Sequence, residues 1–103
     1  MKKISIGLFL LTLSFLANAE LVKGIVVIGE RGCAKRDYII ISLNSGYVYA
    51  QQYRGSFDKG DEVIGELNSY GFKDVLVNSS SGRIWIDDYM LSKSRATDKC
   101  FGN

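Results

Sequence analysis

The feature that most constrains this chain is its punctuation. Six short runs, either apolar throughout or alternating with polar residues, are separated by turn residues at intervals of about ten residues. The runs are residues 21–28 (LVKGIVVI), 38–43 (YIIISL), 47–53 (YVYAQQY), 61–68 (DEVIGELN), 72–77 (FKDVLV) and 83–87 (RIWID). Between them lie residues 29–37 (GERGCAKRD), Asn44-Ser45-Gly46, residues 54–60 (RGSFDKG), Ser69-Tyr70-Gly71 and residues 78–82 (NSSSG). Glycine, asparagine, aspartate and serine favour turns for distinct steric and hydrogen-bonding reasons. The pattern predicts an all-β domain, a small barrel of five to six strands, with the second and third runs joined as a hairpin. Closure hides the strand edges that an open meander would leave free for aggregation. After the last run, Asp87 or Asp88 is placed to cap a short helix over residues 89–96.

Residues 1–19 read differently. Lys2 and Lys3 precede an apolar stretch, and Ala17-Asn18-Ala19 closes it with a small-residue cleavage pattern. That is the layout of a secretory signal peptide. The stretch is too short for a comfortable membrane span. A single folding unit over residues 20–103, periplasmic or secreted, is therefore expected, with no stable membrane span after cleavage. At about 84 residues it is too small for the large catalytic folds. Without Lys2 and Lys3, the chain's 13 basic and 11 acidic residues come into balance. No long run of like charge remains, so the electrostatic footprint of a nucleic-acid binder is missing.

Cys33 and Cys100 are the only cysteines. In an oxidising compartment an even count implies a disulfide. Closing so long a loop stabilises the fold by about 4 kcal/mol in the chain-entropy treatment. The spacing is unlike the short motif of redox-active pairs, so the bond reads as a staple from the C-terminal tail to the loop after the first strand.

Lys59-Gly60-Asp61-Glu62-Val63, Tyr70-Gly71-Phe72-Lys73-Asp74-Val75, Gly82-Arg83-Ile84-Trp85-Ile86 and Asp88-Tyr89-Met90-Leu91-Ser92 follow one another as turn, strand and closing segment. Residues 59–92 thereby resemble a bacterial SH3-like domain; the first half departs from that pattern. The resemblance implies a small barrel acting as a non-catalytic binding module, in exported proteins often for cell-wall or protein partners. An OB-like barrel fits the same strand signals.

The candidate sites are aromatic. Tyr47, Tyr49, Gln51 and Tyr53 share one strand face by the period-two rule, opposite Val48 and Ala50. A small barrel has little room for three phenols, so this face is expected to be exposed. Trp85 is opposed to Ile84 and Ile86 and should point outward, either as an interface anchor or as the seat of the C-terminal helix. Phe57 and Tyr70 lie in loops, where they either bind a partner or plug the barrel ends. Catalytic signals are weak. With no histidine, every His-based triad and metal site is excluded. Adjacent Asp87 and Asp88 would point to opposite faces of a strand, a poor acid–base pair. Asp58, Asp61 and Glu62 lack the alternation of a calcium loop. No cofactor or metal is implied. The expectation is an exported protein that recognises an envelope or secreted protein through its aromatic face, in an inhibitor- or immunity-like role. Cell-wall glycan is the alternative ligand, since aromatic faces also stack on sugars.

Overall fold

The computed structural model describes residues 20–102, so the expected signal segment lies outside the described residues. Six strands, β1 (Val22–Ile28), β2 (Tyr38–Leu43), β3 (Gly46–Arg54), β4 (Glu62–Gly65), β5 (Gly71–Val77) and β6 (Ser80–Leu91), are followed by helix α1 (Lys93–Phe101). All pairings are antiparallel, and the sheet closes on itself in the order β1-β2-β3-β6-β5-β4. The chain thus forms an all-β barrel with one short C-terminal helix and one disulfide, as the sequence predicts. The placing of β4 beside β1, with β2 and β3 following, is a Greek key.

Alternation explains the barrel core. Val26, Ile39, Ile41, Val48, Ala50, Val63, Val75, Val77, Ile84 and Ile86 point inward and form one buried cluster with Phe57 and Leu67. Leu67 belongs to the fourth run, but β4 stops at Gly65, because the chain leaves the sheet and drops Leu67 into the interior. Phe57, 0% exposed, likewise plugs the barrel from the loop after β3. Its place among the binding candidates is therefore corrected: burying an apolar ring in so small a core outweighs presenting it to a partner.

A second cluster lies outside the barrel wall. Ile40 and Tyr49 point away from the interior, yet both are buried, together with Leu91, Ala96, Cys33 and Cys100. Helix α1 covers them, held by the Cys33–Cys100 disulfide. The Ala34 N–H also donates to the Cys100 carbonyl at 2.7 Å. Burial on both sides accounts for the unbroken Ile39-Ile40-Ile41 run of β2.

Helix α1 begins later than the aspartates suggest. Ser92 is its N-cap, its hydroxyl accepting from the Arg95 N–H at 3.2 Å. Residues 88–91 stay in β6, which pairs with β3 as far as Tyr47 and Leu91. The pairing irregularity there carries Met90 at φ 54°, against Gly46 at φ 137° after the Asn44-Ser45 turn. A Cβ on Gly46 would meet the Leu91 carbonyl oxygen at 2.9 Å, so only glycine fits this crossing. Asp88 instead accepts from the Tyr89 N–H at 3.0 Å and pairs with Lys99 of the helix at 3.5 Å.

Candidate functional site

The outer face of β2, β3, β6 and β5 carries one straight row. Register places Tyr38 opposite Gln51, Gln51 opposite Trp85, and Trp85 opposite Phe72. Paired residues of antiparallel strands share a face, so these four side chains line up across the sheet. Tyr53, one step along β3, leans onto Phe72 edge to face at 4.8 Å, and Phe72 meets Trp85 in the same way at 4.8 Å. The Arg83 guanidinium lies over the Phe72 ring at 4.7 Å. All three rings remain open to solvent: Tyr53 is 56% exposed, Phe72 45% and Trp85 37%.

The other end of the row is polar and hydrogen-bonded. Gln51 Nε2 donates to Asp37 at 2.6 Å. Its Oε1 accepts from the hydroxyls of Tyr38 at 3.5 Å and Tyr53 at 3.4 Å. Tyr38 stacks on Tyr49 with ring centres 4.5 Å apart. Burial, then the nearby Asp87 and Asp37 carboxylates, raises the Tyr38 phenol above its ordinary range. Burial likewise raises Tyr49, with Tyr38 and the same aspartates adding to the effect.

The structure sorts the sequence candidates accordingly. Gln51, Tyr53 and Trp85 are brought together on the open row. Tyr47 and Tyr49 do share their face, but the helix takes that end of β3. Tyr47 is half-buried beside it, and Tyr49, 5% exposed, lies beneath it. Tyr49 is thus corrected from contact residue to packing residue: pointing out of the barrel is not exposure when a second layer covers the wall. The same placement leaves Trp85 uncovered, because the disulfide anchors α1 over β2 and β3. Tyr70 is exposed in the β4–β5 loop, edge to face with Tyr89 at 4.8 Å and apart from the row. The negative charge of nearby Asp88, first among its causes, raises its phenol. Two members of the row, Tyr38 and Phe72, are absent from the sequence candidates. Inward Val75 and Val77 signal the outward phase of Phe72, whereas Tyr38 needs the β2–β3 register.

Two concavities among the described residues lie elsewhere. One of about 650 Å³ runs beside β1 and the β2–β3 turn, between Val22, Ile25, Ser42 and Asn44. Another of about 330 Å³ lies beside α1, between Val27, Ile40, Tyr47 and Lys93. Among the described residues no group of three or more acidic, cysteine or histidine side chains is arranged to hold a metal, and no helix is long and apolar enough to cross a membrane. No protein-family model, curated protein or solved structure matches the chain.

Proposed function

We propose that this is an exported, non-catalytic binding protein that recognises another envelope or secreted protein through the row formed by Tyr38, Gln51, Trp85 and Phe72, with Tyr53 and Arg83 beside it. The observation that carries the reading is the contiguity of three exposed aromatic rings on a rigid sheet. Tryptophan, tyrosine, phenylalanine and arginine are the residues enriched at interfaces, and such rings supply large contact area at small entropic cost. A contiguous exposed apolar patch of this kind marks an interaction surface more often than chance exposure does. The disulfide supports export, and the SH3-like resemblance of residues 59–92 supports a binding module. The rings meet edge to face and so form a ridge. A sugar ring stacks best on a flat platform, so the ridge supports a protein partner over cell-wall glycan in this reading.

The test is affinity capture from an envelope extract with the oxidised wild-type chain and a Phe72→Ala/Trp85→Ala variant. One protein enriched by the wild type and lost with the variant is the expected result. Equal enrichment by both would remove the row from the interface, and sedimentation with sacculi would then test glycan.

A further inference from the structure

Charge is paired differently at the two ends of the row, and Lys35 stands over the Tyr38 ring rather than against a carboxylate. At its Phe72 end, Arg54 and Arg83 both approach one carboxylate, Asp74, at 3.8 and 4.0 Å. At its Tyr38 end stand Asp37 and Asp87, and among the described residues no lysine or arginine lies within ion-pair distance of either. Asp87 follows Trp85 on the same face of β6, and Asp37 is tied to the row through Gln51. Between them the Tyr38 and Tyr53 hydroxyls lie 3.5 and 3.4 Å from Gln51 Oε1, and each phenol oxygen is also an acceptor. The end of the row thus offers carboxylates, phenol oxygens and aromatic faces, all acceptors of positive charge.

The fold's own cations sit over three rings of the same wall: Lys35 over Tyr38 at 5.5 Å, Lys99 over Tyr49 at 6.0 Å and Arg83 over Phe72 at 4.7 Å. Tyr53 and Trp85 have no such companion among the described residues.

Resting on the reading of this row as the interface, we propose that its partner is a protein presenting a basic segment. A lysine or arginine of that segment would lodge against Tyr53 and Trp85 between Asp37 and Asp87. Anionic partners, such as nucleic acid or an acidic lipid surface, would meet these two carboxylates unfavourably.

The test uses the oxidised, 15N-labelled chain titrated with acetyl-Arg-Arg-amide, and separately with acetyl-Glu-Glu-amide. The arginine peptide is expected to give saturable shifts at the Gln51 side-chain amide and the Trp85 indole N–H, and the glutamate peptide none. Asp37→Asn/Asp87→Asn should weaken the arginine peptide by about fivefold, the scale of two solvent-exposed charge pairs. Both aspartates are at the surface, so well-dispersed spectra of the variant will establish that it folds. Absence of shifts, equal response to both peptides, or indifference to the double variant would overturn the proposal. The two readings fail separately. An extract protein whose capture needs Trp85 but not Asp37 and Asp87 would leave the interface standing and remove the basic segment.

Discussion

At the scale of single residues, Tyr49 and Trp85 show how two outward-pointing aromatics on neighbouring strands part company. Tyr49 is stacked on Tyr38 and closed over by Ala96 and Cys100, while Trp85 meets Phe72 edge to face and stays partly open to solvent. Removing the Tyr49 ring leaves a hole between two packed layers, so Tyr49→Ala should cost roughly 3–5 kcal/mol and lower the melting temperature sharply. Trp85→Ala should change stability less, since Trp85 keeps 37% of its surface open to solvent where Tyr49 keeps 5%. Thermal unfolding of the two variants side by side checks this; comparable losses would mean that Trp85 belongs to the structural core.

At the scale of elements, α1 is a weak helix in a strong position. It spans nine residues and buries only Ala96 and Cys100, too little to hold it by propensity or packing alone. Its anchor is covalent. Cys33→Ser/Cys100→Ser is therefore expected to lose about 4 kcal/mol. Hydrogen exchange should show protection failing over α1 before it fails in β2, β3 and β6. Uniform loss across all elements would show that helix and barrel unfold as one. The same element marks the limit of what sequence discloses. Alternation within 47–53 and 83–87 suffices to separate the two faces of β3 and β6, because inward and outward are set by neighbours one residue away, whereas Ile39-Ile40-Ile41 of β2 shows no alternation, since both of its faces are covered. Which part of the outer face receives a second layer depends on Cys33 meeting Cys100 across 67 residues, and no local pattern encodes it. That is why Tyr49 reads as exposed in the sequence, and why Trp85 reads as a seat for the helix. The start of α1 fails for a related reason. Asp87 and Asp88 have the chemistry of a cap, but pairing of β6 with β3 out to Leu91 holds the chain extended and passes the role to Ser92.

At the scale of the whole molecule, charge and topology combine. Tyr38, Tyr49 and Tyr70 all hold their protons more tightly in the folded state than at the ordinary value of 10.0. The sign follows: the folded state binds more protons than the unfolded one above that pH, so stability is intact below about pH 10 and declines as pH rises through the folded values. Chemical denaturation across the alkaline range should show this decline, and Tyr38→Phe/Tyr49→Phe should flatten it. An unchanged slope would mean that other groups govern the alkaline limit. The disulfide has one more consequence. Because it joins Cys33 to Cys100, every element from β2 to α1 lies inside a covalent ring, and only β1 stands outside it. A protease that cuts one exposed loop of that ring, at Lys59 or beside Arg54, opens the circle without releasing a fragment. The two pieces stay tethered through the Cys33–Cys100 bond. Wherever proteases are active, one cut would scar the protein without dismembering it.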